Sequence, residues 1–469
     1  MSGLELALSA FAFMLVAIFL RVPIGAAMAI TGFVGSWLVY GRPDPVLSQL
    51  KSLTYDTFKD YNLSIVPLFL LMGQFATKSG LSAALFQAAS DWLGHRKGGV
   101  AMAAVGGCAG FGAVCGSSLA TASTMGQVAL PEMRKRGYSD SLSTGVLAAG
   151  GTLGILIPPS IILVIYAILA EQNIVKMFIA AVVPGLLAAL GYMLAVAVYV
   201  RMRPGSAGQE DRVPLGLRLR RTWRVWPVVA IFGLVMGGIA ADWNWAQDGV
   251  QALFTPTEGA AVGAIATGVY GWLAGGLDRR GFCDAVLETA QSTAMIFFIL
   301  WGAKLFSAFL ALTRAPDQLV LWVEASGFAP LVILSVMLLA YLAFGCVMDS
   351  LSMILLTIPI FLPIILAQEF VVLGVALSPE EAAIWFGILA LIVVEVGLIT
   401  PPVGMNLFII NSMAPDVPMW RTYVGVIPLC PVGSAARRAA GAVSGGHLVA
   451  GRRRLRLATR AIDGARGLG

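Results

Sequence analysis

Charge, histidine and cysteine are all scarce in this chain of 469 residues. Charged side chains make up 12% of it, where a soluble domain carries about 25%. Two histidines and five scattered cysteines (positions 108, 115, 283, 346 and 430) form no metal-binding cluster and no CxxC redox pair. No GxxxxGK[ST] loop is present, so direct use of ATP has no support. No nucleophile–base pair stands out and no long soluble domain interrupts the apolar runs, so an enzyme is poorly supported.

Apolar length is abundant. Hydrophobic residues make up 58% and mean hydropathy is +0.85, which marks an all-α integral membrane protein with many spans. Leu4 to Leu20 reads as a retained first span, because no basic region precedes it. Arg21 puts its far end in the cytoplasm and the N-terminus outside. Ile24 to Tyr40 returns outward, residues 41 to 61 are interfacial, and Leu63 to Thr77 goes back in to Lys78. Leu81 to Leu93 is a surface amphipathic helix, followed by His95 among basic neighbours.

Gly98 to Pro131 is apolar and rich in Gly, Ser and Thr, with basic residues at both ends. Both ends therefore prefer the same side. Arms of about 15 residues rise only about 23 Å, short of the roughly 30 Å core. The economical solution is a re-entrant hairpin turning near Gly116 and Ser117; close helix packing is the alternative account of its small residues, and the matching end charges favour the hairpin. Leu142 to Ala170 then crosses outward, broken at Pro158 and Pro159, and Met177 to Val200 crosses back. Two consecutive prolines cannot continue a helix. At membrane depth such a break is tolerated only where backbone is buried or lines a cavity. The device recurs: Gly154-Ile155-Leu156-Ile157-Pro158-Pro159-Ser160 matches Gly397-Leu398-Ile399-Thr400-Pro401-Pro402-Val403.

Residues 201–224, with seven arginines, form a cytoplasmic linker between a first repeat (1–200) and a second (225–428). Val225 to Ala241 spans outward to Asp242, Trp243 and Trp245; Glu258 to Ala274 returns; Ser292 to Leu312 crosses out again. Pro316 to Ser326 is a second surface helix, 330–366 a second hairpin and 382–412 a second broken helix. Phe111, Gly112, Val114 and Ser117 fall on Phe344, Gly345, Val347 and Ser350 with a gapless offset of 233. Five crossings in the first repeat, an odd number, invert the second. Two hairpins and two broken helices then meet at mid-membrane.

These stretches resemble a known family. NLSIVPLFLLMGQFATKSGL from Asn62, GFGAVCGSSLATASTMG from Gly110, LGILIPPS from Leu153, FTPTEGAAVGA from Phe254, FGCVMDSLSMILLTIPIFLPI from Phe344 and GLITPPVGMNLF from Gly397 are similar to the large membrane subunit of tripartite ATP-independent periplasmic (TRAP) transporters. The resemblance covers residues 4 to 428 and implies an elevator-type, sodium-coupled importer in the bacterial inner membrane. It implies a small membrane subunit and a separate periplasmic binding protein as partners. The substrate it implies is an organic acid: a C4-dicarboxylate, a sialic acid or a related carboxylate. A stand-alone ion-coupled anion transporter or exchanger of similar architecture is the alternative; a scaffold without a transport path ranks last. Sodium is the coupling ion and no cofactor is expected.

Sodium takes carbonyl and hydroxyl oxygens, which hairpin turns and broken helices supply. The ion-binding candidates are Ser117 and Ser118 at the first tip, Gly345 and Cys346 at the second, and Gly397, Thr400 and Met405 around the second break. Ser160 and Asn406, with Pro158, Pro159, Pro401 and Pro402, are the substrate-facing candidates. The serines could instead pack helices or bond back to the preceding turn. Asp349 could assist a cation or cap the helix from Ser350. Lys304 can snorkel. Glu395 lies deep, five residues before Thr400, where an ionisable group is a functional suspect. Glu258 follows Thr255 in a capping-box pattern.

Residues 429–469 break the pattern. Eight arginines against Asp463 give this stretch +7, so the remainder carries −1 of the total +6. The composition is that of a GC-rich gene read out of frame, and a frameshift is expected there; a basic tail on anionic lipid is the rival.

Overall fold

A computed structural model describes residues 3–240, 253–274, 276–372 and 375–430. The tail beyond Cys430, and Asp242, Trp243 and Trp245, lie outside the described residues.

The fold is all-α apart from one small antiparallel ribbon, Val371–Val372 with Val375–Ala376, after the second hairpin. The first repeat runs α1 (Gly3–Phe19), α2 (Ile24–Tyr40), α3 (Pro43–Phe58), α4 (Ile65–Lys78) and α5 (Leu81–Leu93). The first hairpin follows as α6 (Gly99–Cys115) and α7 (Ser118–Lys135), the broken helix as α8 (Asp140–Leu156) and α9 (Ile161–Leu169), and then α10 (Ile174–Met202). The linker holds α11 (Leu215–Trp223). The second repeat has α12 (Trp226–Ala240), α13 (Pro256–Leu273), α14 (Arg279–Thr313) and α15 (Ala315–Ala325). Its hairpin is α16 (Pro330–Gly345) and α17 (Ser350–Leu366), its broken helix α18 (Pro379–Gly397) and α19 (Met405–Ser412), and α20 (Met419–Val426) follows.

Several boundaries differ from the sequence reading. Residues 41–61 are mostly helix α3, begun by Pro43 at its first turn. The α7 arm continues through Pro131 to Lys135, and the broken helices start at 140 and 379 rather than 142 and 382. Helix α14 starts at Arg279, capped by Asp278, not at Ser292. Its 35 residues rise about 52 Å, so one end projects beyond a bilayer core of roughly 30 Å. The Thr255–Glu258 capping box forms, with the Thr255 N–H donating to Glu258 Oε2 at 2.8 Å.

The two repeats join through α2 on α14, α4 on α13 and α4 on α14. Small residues let these helices close up: a β-carbon on Gly32 would stand 2.6 Å from Leu305 C, and one on Gly302 would stand 2.3 Å from Gly25 O. Leu186, Leu190, Leu194 and Val198 are exposed on α10 at a spacing of four, an apolar stripe for lipid. In contrast every residue of α8 from Leu142 to Leu156 is buried, and so is every residue of α18 from Glu381 to Glu395. The two broken helices are thus the axis of the molecule. Each hairpin packs on the broken helix of its own repeat, α6 and α7 on α8, α16 and α17 on α18.

Ion pairs sort the ends in the way an inverted repeat requires. Arg134 joins Asp416 at 2.9 Å and Asp140 at 3.6 Å, gathering the base of the first hairpin with the ends of α8 and α19. Lys176 pairs with Glu380 at 2.5 Å, gathering the starts of α10 and α18 at the opposite end. The linker docks on the first group: Arg136 bonds Glu210, Arg221 bonds Asp91 at 2.9 Å, and the Arg218 guanidinium sits over Trp92.

Candidate ion and substrate site

At the first tip Gly116 takes a left-handed φ of 65° and closes α6, and Ser117 caps α7 by accepting from the Ala120 N–H. The tip lies directly on the first break. A β-carbon on Gly112 would stand 2.6 Å from Gly154 Cα, and one on Gly154 would stand 2.3 Å from Thr121 Oγ1 and 2.6 Å from the Ser117 carbonyl oxygen. The break bends the helix by 45°. Pro158, Pro159 and Ser160 are all buried, and the Ser160 hydroxyl has no partner.

The second tip repeats the contact with different surroundings. A β-carbon on Gly397 would stand 2.7 Å from Gly345 Cα, the same crossing of glycine on glycine. The turn between α16 and α17 is longer, Cys346 to Asp349. Asp349 caps α17, accepting from the Ser352 N–H at 3.0 Å and the Ser352 hydroxyl at 2.5 Å, so the capping alternative is the one that forms. The structural equivalent of Ser117 is therefore Asp349, and that of Ser118 is Ser350, one residue off the gapless offset. The Cys346 carbonyl accepts from the Gly404 N–H at 3.0 Å, and the Gly397 carbonyl accepts from Thr400 at 2.9 Å. The Thr400 hydroxyl donates back to Val396 O at 2.6 Å and also stands against the Cys430 thiol. Pro401 and Pro402 are exposed, and Met405 and Thr400 are half-buried beside them. Tyr423 of α20 closes this break from one side, its hydroxyl donating to Pro402 O at 2.6 Å.

Between the tips sits Glu395, 1% exposed. The Ser350 hydroxyl donates to its Oε1 at 2.7 Å. The Ser118 hydroxyl of the other hairpin stands close enough to act on the same carboxyl, and Oε2 has no hydrogen-bond partner. Asn406 lies deep in the same axis, its Nδ2 donating to Ala148 O at 3.3 Å while Oδ1 has no partner. Thr121 Oγ1 is also unpartnered. Buried polar atoms are normally satisfied, so the unpartnered oxygens of Glu395, Asn406 and Thr121 mark this stretch as the candidate site. Around it end α6, α8, α16 and α18, and around it begin α7, α9, α17 and α19. Carbonyl ends favour cations and amide ends favour anions, and both kinds of end are gathered here.

The residues picked from sequence thus fall into three groups. Ser118, Glu395 and Ser350 are brought together. Gly345, Cys346, Gly397, Thr400 and Met405 surround the second break, and Ser117 packs on the first through its backbone. Ser160 and Asn406, placed against substrate from sequence, are wholly buried against neighbouring helices, as are Pro158 and Pro159.

The arrangement has relatives. The description "Tripartite ATP-independent periplasmic transporter, DctM component" matches residues 11–436, past the Pro428 where the sequence reading ended the resemblance. The chain belongs to this family. It is 37% identical over 392 residues to the C4-dicarboxylate TRAP transporter large permease protein DctM of Pseudomonas aeruginosa, covering 82% of this chain and 85% of that one. It is 28% identical over 380 residues to the sialic acid TRAP transporter large permease protein SiaM of Vibrio cholerae, covering 79% and 81%. The crystal structure of the YdaH transporter of Alcanivorax borkumensis shares the fold, with a TM-score of 0.59 at 15% identity over 87% of this chain and 89% of that one.

In this TRAP large permease, two residues beside the candidate site have no signal in the sequence. Tyr423 is 21 residues from the carbonyl it satisfies, and nothing in a lone tyrosine near a helix start signals that. In the sequence Thr121 is one residue of a Gly/Ser/Thr-rich arm; its proximity to Gly154 depends on the angle of the hairpin.

Proposed function

We propose that this permease imports an organic acid, a C4-dicarboxylate or a sialic acid or related carboxylate, across the bacterial inner membrane by symport with sodium, in an elevator motion. The substrate reaches it on a separate periplasmic binding protein, and a small membrane subunit braces the scaffold. The observation that supports this reading is the doubled device: a hairpin tip seated on a broken helix, twice, around buried oxygens that lack partners. Oxygen cages of this kind suit sodium, and the helix starts beside them suit a carboxylate.

Uptake into proteoliposomes tests it. The large and small subunits are reconstituted together and supplied with the binding protein and labelled succinate or sialic acid. Uptake is expected only with an inward sodium gradient. Equal uptake with potassium in place of sodium and a proton gradient as the drive would overturn the coupling. Full uptake without the binding protein would favour a stand-alone carrier.

A further inference from the structure

Helix α11 is built as more than a connection. It packs on α5 and bends by 45° into α12, the first helix of the second repeat. Leu215, Leu219 and Trp223, four residues apart, form one exposed edge. Arg220 and Arg224, also four apart, form the next exposed edge round the helix. Trp226, just past the end of α11, is exposed, and so is Trp92 of α5, whose indole N–H donates to the Thr222 hydroxyl at 2.8 Å. Leucine and tryptophan beside arginine is the pattern of a helix lying in a membrane interface, with acyl chains on one side and headgroups on the other.

The seam between α5 and α11 holds a second, independent sign. Arg218 is 7% exposed, its guanidinium lies over the Trp92 ring, and its Nε has no hydrogen-bond partner. The acids of this seam are already taken: Asp91 by Arg221 at 2.9 Å and by Gln87 at 3.0 Å, Glu210 by Arg136 and the Ser90 hydroxyl. A cation–π contact offsets only part of the cost of burying a guanidinium, and the remainder calls for an anion. Other cations gather at the same place. Gln209 Nε2 donates to His95 O at 2.7 Å and the Glu210 N–H to Gly94 O at 3.0 Å, which lays the linker on the loop after α5. The charges of Arg212, Arg218 and Arg96 accordingly all act on His95, and none of the three makes an ion pair among the described residues. Asp211, exposed, is the linker acid left over against them.

We propose that the seam between α5 and α11 binds the phosphate of an anionic phospholipid of the cytoplasmic leaflet, taken by Arg218, Arg212 and Arg96, with Leu215, Leu219 and Trp223 among its acyl chains. Guanidinium groups suit phosphate oxygens, and arginine clusters at this level attract anionic lipid. The side follows from the arginine-rich linker. The lipid then fastens α5 of the first repeat to the helix that leads into the second. Binding at this seam asks nothing of the transported substrate or of the coupling ion.

Hydrogen–deuterium exchange of the full-length permease in nanodiscs tests it, because peptides covering 209–224 are read apart from the arginine-rich residues 429–469. Exchange in these peptides is expected to slow at least about fivefold in phosphatidylglycerol relative to phosphatidylcholine, the equivalent of one arginine at an anionic surface. Arg218→Gln should abolish the slowing. Arg212→Gln, at an exposed position, should reduce it severalfold, which keeps the test usable if the Arg218 variant loosens the seam by itself. No slowing in phosphatidylglycerol, or slowing unchanged in both variants, overturns the proposal. An equal slowing at residues 279–284, where Arg279 and Arg280 are also exposed, overturns it as a general effect of surface charge. Equal protection from inorganic phosphate in phosphatidylcholine nanodiscs would make this a site for a soluble anion and overturn it as well. Protection from the small membrane subunit, with none from phosphatidylglycerol, would make the exposed edge a protein interface instead.

Discussion

The two tips are built on the same plan but exposed differently. At the first, glycine meets glycine at positions 112 and 154, and Pro158, Pro159 and Ser160 are all buried. At the second, glycine meets glycine at 345 and 397, yet Pro401 and Pro402 are exposed and the tip turn is longer. On the transport reading proposed above, two inverted copies of one device would face opposite sides of the membrane and exchange their surroundings between the two states. On that reading the difference between the tips reports conformation and their likeness reports the site.

The contacts make the first tip the tighter one, which sets the largest expected effect. Gly112→Ala puts a methyl 2.6 Å from Gly154 Cα, backbone that cannot turn aside. Overpacking of this kind costs about 1–3 kcal/mol. Gly345→Ala meets its nearest atoms at 3.1 Å and should cost a fraction of that. Gly216→Ala, in helix α11 with nothing within 4 Å, gives the reference for alanine's intrinsic helical gain. Thermal unfolding of the purified variants checks the order, and equal losses at 112 and 345 would abolish the asymmetry.

The hydroxyls come next. Ser117→Ala at the first tip and Thr400→Ala at the second break should each weaken sodium dependence of uptake while leaving insertion intact. A lost contact to a charged group of about 1.5–3 kcal/mol corresponds to roughly 10- to 150-fold in affinity. Sodium titrations that coincide with wild type would remove both residues from the site. A loss at only one would show that the tips do not contribute equally.

Much of this was legible in the sequence, for definite reasons. Pro158-Pro159 and Pro401-Pro402 carry their own physics, since a double proline ends a helix wherever it falls. The hairpin of residues 330–366 could be placed because apolar length and turn residues mark its ends. The long helix α14 could not be, because Asp278, Arg279 and Arg280 read as a loop at the membrane edge while they in fact cap and begin the helix. Glu395 could be suspected from its depth alone. That it faces Ser350 and Ser118, from two hairpins 232 residues apart, is a product of tertiary crossing angles and has no local signal. The burial of Ser160 and Asn406 likewise comes from tertiary packing and has no local signal.

Accessibility tests the comparison directly. Ser160 and Val403 occupy the same place in the two matched stretches, but Ser160 is fully buried and Val403 is half-buried. In a background with the exposed Cys283 replaced by serine, Val403→Cys should react with a water-soluble maleimide at least about tenfold faster than Ser160→Cys. Tenfold corresponds to an opening free energy of about 1.4 kcal/mol. Equal rates would mean that the two states interconvert with little bias, and the exposure difference would carry no conformational meaning.

The smallest effect lies outside the membrane, where the linker joins the first hairpin. His95 follows α5, and its backbone carbonyl accepts from Gln209 Nε2 at 2.7 Å. Burial, then the charges of Arg212, Arg218 and Arg96, lower its pKa below the ordinary 6.5, so the folded protein holds it neutral at pH 7. The sign follows from which state binds the proton. Below 6.5 the unfolded chain protonates this histidine and the folded chain resists, so the stabilisation is complete above 6.5 and declines as pH falls toward the folded value. Asp416, held below its ordinary 3.8 by Arg134, loses its contribution only in a lower window, so the two are separable. His95→Gln should flatten the unfolding profile just below 6.5 and leave the acid limb unchanged. Parallel wild-type and variant profiles would mean that the linker carries no charge-sensitive contact at this histidine.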